Sequence, residues 1–80
     1  MKLKKISPRA AHHSWLSDAM EDGYATWREE SAAVADSYRS WNCADRDERS
    51  LAYAAYVAAL DREECAATAY RHLVQQAQAT

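Results

Sequence analysis

The sequence has very few of the residues that interrupt helices. Its 80 residues include one glycine, one proline and no phenylalanine. With a single glycine, a backbone loop that cradles nucleotide phosphates is difficult to build. Alanine, glutamate, arginine, leucine and glutamine, which are all good helix formers, make up long stretches of the chain. The composition therefore predicts an all-α protein, small enough that its own core gives only marginal stability.

Long apolar runs are also missing. The longest spans residues 51–60, whereas a membrane-spanning helix needs about 20 residues. The basic start of the chain is not followed by the apolar stretch of a signal peptide. Cys43 and Cys65 would lie about 33 Å apart along one helix, too far for a disulfide. We therefore expect a cytoplasmic protein with two free thiols.

Motifs that carry chemistry are missing as well. The sequence contains no H-E-x-x-H, C-x-x-C or G-x-S-x-G pattern. No glutamate is followed three residues later by a histidine, the step that carboxylate-bridged metal bundles use. From these absences we expect no catalytic residues, no metal site and no cofactor, and hence a protein that is not an enzyme.

What the chain does have is a regular apolar repeat in its first half. Spacings of four and three residues recur without a break, and they indicate a helix that lies along another helix for several turns. The repeat comprises Met20, Tyr24, Trp27, Ser31, Val34, Tyr38 and Trp41. Ser7 and Pro8 suit a helix start, so we expect a helix over about 8–41. Gly23 leaves open an alternative, a three-helix arrangement in which the first helix breaks at this residue.

The second half of the chain is expected to form one more long helix. Residues 42–44 form the predicted turn, and Asp45 with Glu48 resembles a capping box that starts a helix over about 45–77. So short a turn folds the two helices into an antiparallel hairpin. In that register Tyr24 would lie near Glu63.

The predicted second helix is apolar around most of its circumference, more than one neighbouring helix can cover. A second copy of the chain would cover the rest, giving a homodimeric four-helix bundle. Arg62 and Glu63 lie near the midpoint of this helix and could pair between chains to fix the register. Alternatively, both reach solvent, or Glu63 accepts a hydrogen bond from Tyr24 or the Trp27 indole. The predicted dimer interface comprises Tyr56, Leu60, Arg62, Glu63 and Tyr70.

These features favour a small non-enzymatic interaction protein, such as a regulator, an inhibitor or an assembly factor, that engages an unidentified protein partner. Exposed tryptophans are common binding anchors, so Trp15 and Trp41 are the expected partner contacts. An alternative is a nucleic-acid-associated protein that uses its basic N-terminal segment. For either function we expect a basic tail at 1–7 and a single helical hairpin domain at 8–80. For the nucleic-acid alternative, the basic residues would bind phosphate. The phosphate contacts would be Lys2, Lys4, Lys5 and Arg9.

Overall fold

The protein is a hairpin of two long α-helices. A computed structural model describes the backbone of residues 8–79 and the side chains of residues 15–79, so the basic segment 1–7 lies outside the described residues. Helix α1 spans Pro8–Cys43 and helix α2 spans Arg49–Ala79, packed against each other. The predicted all-α helical hairpin is confirmed. Within residues 8–79, neither helix combines the length and the apolar character needed to cross a bilayer.

Helix α1 continues through Gly23, so the three-helix alternative is wrong. The glycine is half-buried against α2. A Cβ atom added here would lie 3.1 Å from Leu73 Cδ1 and 3.5 Å from Tyr70 Cδ1. The residue therefore acts as a small spacer between the helices, where helix contacts compensate for its low intrinsic helix propensity.

The connection between the helices is longer than the sequence predicts. Helix α1 extends to Cys43, and α2 begins at Arg49 rather than near Asp45. The Glu48 amide donates to the Asp45 carbonyl at 2.9 Å, closing a tight turn. The Glu48 carbonyl then accepts from the Ala52 amide at 2.9 Å, the first bond of α-helical spacing. Glu48 therefore takes the N-cap position predicted for Asp45.

The face of α1 that meets α2 is rotated slightly from the predicted repeat. Met20, Trp27, Val34 and Trp41 are half-buried as expected. The positions between them that turn inward are smaller or more polar, namely Gly23, Glu30 and Ser37. Tyr24 and Tyr38 instead lie beside the helix contact, 43% and 46% exposed. Gly23, Glu30 and Ser37 therefore alternate along the contact with the larger Met20, Trp27, Val34 and Trp41.

The register of the hairpin also differs from the prediction. The Tyr24 ring centroid lies 5.7 Å from that of Tyr70 rather than beside Glu63, and Tyr38 lies 5.6 Å from Tyr56. Tyr70 is one heptad further along α2 than Glu63. The longer connection causes this shift, because α2 starts later and the same residues of α1 therefore meet later residues of α2. The heptad pattern is preserved, since the shift is one full repeat.

The hairpin is a single layer of helices with almost no interior. Its extents are 66 × 30 × 13 Å, and its radius of gyration is 19.0 Å, whereas a compact chain of this length would have about 12 Å. Among the described side chains only Leu16 and Ala59 are buried, at 2% and 0% exposure. Two helices side by side therefore leave most of their side chains in contact with water.

Candidate functional site

One group of aromatic side chains packs near the connection between the helices. This turn cluster consists of Tyr38, Trp41, Tyr53 and Tyr56. The Trp41 ring centroid lies 4.9 Å from that of Tyr53 and 5.5 Å from that of Tyr56, with the Tyr56 ring nearly parallel to it. Stacked and tilted aromatic pairs at these distances stabilise the packing beyond the area they bury. The turn cluster therefore fixes the connected end of the hairpin.

A second group packs further from the connection. This distal cluster consists of Tyr24, Trp27 and Tyr70, with the Trp27 and Tyr70 rings stacked at 6.0 Å and 12°. The Trp27 indole Nε1–H donates to the Glu63 carboxylate at 3.4 Å. Gly23 leaves room beside α1 for the Tyr70 ring. Together the two clusters contain every tryptophan and tyrosine of the chain except Trp15.

Both clusters border one exposed side of the hairpin. On α1, Tyr24, Ser31 and Tyr38 each follow an inward-facing residue and repeat every seven positions. On α2, Tyr53, Leu60 and Ala67 likewise repeat every seven positions, and each comes directly after an inward-facing alanine. In an antiparallel pair of helices, the residues that come directly after the inward-facing residues lie on the same side of the pair, whichever helix they belong to. Val74 continues the α2 row, because it follows the inward-facing Leu73. We call this side, completed by Val57, the tyrosine face.

The rows of the tyrosine face next to the helix contact are uncharged, whereas the positions one and two heptads after Val57 hold the exposed Glu64 and Arg71. Tyr53 is 49% exposed, Leu60 39% and Val57 36%. These three residues follow one another at spacings of four and three, so they form one stripe on α2. Charge lies at the edge, where the Arg28 guanidinium carbon is 6.0 Å from the centre of the Tyr24 ring. An apolar strip with a polar border is typical of a protein–protein contact surface.

The opposite side of the hairpin has a different character. Arg62 Nε donates to Glu30 Oε2 at 3.2 Å, and this ion pair links the two helices. The two residues line a shallow open groove of about 450 Å³ together with Thr26, Asp61, Cys65 and Ala66. Cys43 and Cys65 are both free and exposed. This side is therefore distinguished from the tyrosine face by an ion pair between the helices and an open groove.

Most residues of the predicted dimer interface are used inside the hairpin. Tyr56 and Tyr70 pack in the turn and distal clusters, Glu63 accepts from Trp27, and Arg62 pairs with Glu30. The hydrogen bond from the Trp27 indole to Glu63 is one of the alternatives to an interchain ion pair that the sequence analysis gave for Glu63. Only Leu60 lies on the tyrosine face. The interchain pair of Arg62 with Glu63 stays a prediction.

The two predicted partner contacts differ in exposure. Trp15 is 58% exposed, so it stays a prediction for contact with another protein. Trp41 is half-buried in the turn cluster, which leaves it less available as an anchor. The predicted phosphate contacts Lys2, Lys4 and Lys5 lie outside the described residues, as does the Arg9 side chain.

Sequence reasoning did not select Tyr24, Tyr38, Tyr53 or Val57 as interface residues. The signal for the α2 part was present, because Tyr53, Val57 and Leu60 follow a four-three spacing. Placing Tyr24 and Tyr38 beside the contact required the rotation of α1, which the repeat alone did not specify.

Comparison with protein-family models, curated proteins and solved structures finds no match to this chain.

Proposed function

We propose that this chain is a non-enzymatic protein–protein interaction module whose folded unit is a homodimer, two hairpins packed into a four-helix bundle. One observation carries the proposal: only Leu16 and Ala59 are buried among the described side chains. A two-helix layer with so small a core lacks the apolar burial that offsets the loss of chain entropy on folding.

The surface area of the chain supports the same proposal. Its accessible surface is 6648 Å², while a compact monomer of 9.0 kDa would have about 4,900 Å². The difference, roughly 1,800 Å², exceeds the approximately 800 Å² that each partner contributes to a standard protein–protein interface. A second hairpin laid on one side can therefore cover a normal interface area and still leave the outer sides accessible to another protein.

Chemical unfolding at several chain concentrations tests this proposal. When folding and association are coupled, the folded state gains stability with concentration by mass action. We expect the urea midpoint, followed by far-ultraviolet circular dichroism, to rise steadily between about 1 and 100 μM chain, because each tenfold increase favours the dimer by about 1.4 kcal/mol. A midpoint that stays constant over this range would mean that the hairpin folds alone, and the homodimer proposal would be abandoned.

A further inference from the structure

We infer that the tyrosine face is the dimer contact and that the two hairpins stack on it antiparallel, with the turn of each copy at the open end of the other. This inference rests on the proposed homodimer and specifies its surface and its orientation. The occupant of the tyrosine face is therefore a second copy of this chain. The first reason is that the apolar exposed side chains Tyr53, Val57 and Leu60 form a continuous stripe there.

The second reason is the symmetry of the stripes along the hairpin. On α1, Ser31 lies midway between Tyr24 and Tyr38. Tyr24 lies beside Tyr70, and Tyr38 lies beside Tyr56. Ser31 is therefore level with residue 63 of α2, half a residue from the midpoint of the row Tyr53, Leu60, Ala67 and Val74. Both stripes thus have their centres at nearly the same height, where a two-fold axis perpendicular to the helices relates two antiparallel copies.

The third reason is the distribution of side-chain size about that axis. Antiparallel stacking places Leu60 opposite Ala67 of the second copy, and Tyr53 opposite Val74 of the second copy. On α2, large side chains then meet smaller ones, which suits close packing, while on α1 Tyr24 lies opposite Tyr38 of the second copy. Stacking with both turns at the same end would place the two turn clusters against each other. The large rings of both copies would then meet at the turn end, while each Ala67 would lie opposite α1 of the second copy.

Disulfide trapping tests the surface and the orientation together. The background is the full chain with Cys43→Ser and Cys65→Ser, which removes two exposed thiols. Ser31→Cys then places one thiol next to the proposed axis, within disulfide reach of its own copy. Ala33→Cys is the matched control, because Ser31 and Ala33 are both half-buried on α1 and point about 200° apart round the helix.

Under mild oxidation at micromolar concentration we expect the Ser31→Cys chain to form covalent dimers at least about tenfold faster than the Ala33→Cys chain. Faster or equal trapping of Ala33→Cys would overturn the assignment of the face. Sedimentation as a dimer without trapping of Ser31→Cys would overturn the antiparallel stacking, since stacking with the turns together places α2 of the second copy opposite Ser31. A monomeric mass for the cysteine-free chain would instead contradict the homodimer itself, which keeps the two failures distinct.

Discussion

Gly23 shows how one residue is interpreted differently in sequence and in structure. As a sequence feature it marks a possible helix break, because glycine lowers helix stability by about 1 kcal/mol relative to alanine. In the hairpin it lies against Leu73 and Tyr70 and lets the helices approach each other. Local propensity could not predict this role, since the reason for the small residue lies on the other helix.

A substitution series at Gly23 separates helix propensity from packing. Alanine would place its Cβ 3.1 Å from Leu73 Cδ1, the end of a flexible side chain that can move by a few tenths of an ångström. We therefore expect Gly23→Ala to raise the free energy of unfolding by about 0.5 kcal/mol, part of the full propensity gain. Gly23→Val should lower it by about 1–3 kcal/mol, because the added volume separates the helices.

Urea denaturation at one fixed chain concentration measures both effects. Ala25→Gly is the control, since Ala25 is exposed on the same helix and the change should cost about 1 kcal/mol from propensity alone. If Gly23→Val proved as stable as Gly23→Ala, the close contact between Gly23 and α2 would be refuted.

Glu63 is a second residue whose surroundings only the fold reveals. Its carboxylate accepts from the Trp27 indole inside one hairpin. The sequence offered this bond as one of three alternatives and could not choose among them, because the choice depends on the register between the helices. With Arg62 also paired to Glu30, both central charges have partners within the chain.

At the scale of elements, the pattern of the sequence predicted two long helices and an antiparallel hairpin. Continuous helix formers and the four-three repeat are local signals, and they sufficed for this. The start of α2 and the register depend on the tight turn from Asp45 to Glu48. Several residues there suit a helix start, so sequence alone did not determine which one caps α2.

The two exposed leucines of α2 offer a matched test of which side of this helix is covered. Leu60 lies on the tyrosine face at 39% exposure, and Leu51 is 76% exposed. Nine residues separate them, which places them on opposite sides of the helix. We expect Leu60→Asp to raise the dimer dissociation constant at least about tenfold, because a carboxylate would lose water in the contact.

Leu51→Asp should change the same constant less than about twofold, since a charge added at an exposed site remains solvated. Sedimentation over a dilution series gives both constants, with circular dichroism confirming that helix content is retained. Equal weakening by the two substitutions, or weakening by Leu51→Asp alone, would contradict the tyrosine face as the dimer contact.

At the scale of the molecule, the same helices that follow local rules leave a layer 13 Å thick in its smallest extent. The sequence of α2 predicts this exposed apolar surface, because the helix is apolar around more of its circumference than one neighbouring helix can cover. The side left uncovered could not be predicted, because it depends on the rotation of α1 and on the one-heptad shift in register. The proposed dimer therefore keeps the predicted four-helix bundle and replaces most of the predicted interface residues.

Sedimentation equilibrium of the unmodified chain under reducing conditions tests the homodimer most directly. Across about 5–50 μM, where a stable dimer of micromolar or tighter affinity is populated, we expect a mass approaching twice the 9.0 kDa of one chain. Reducing agent ensures that disulfides of Cys43 or Cys65 do not account for the doubling. A helical species that retains the mass of a single chain throughout this range would contradict the proposal.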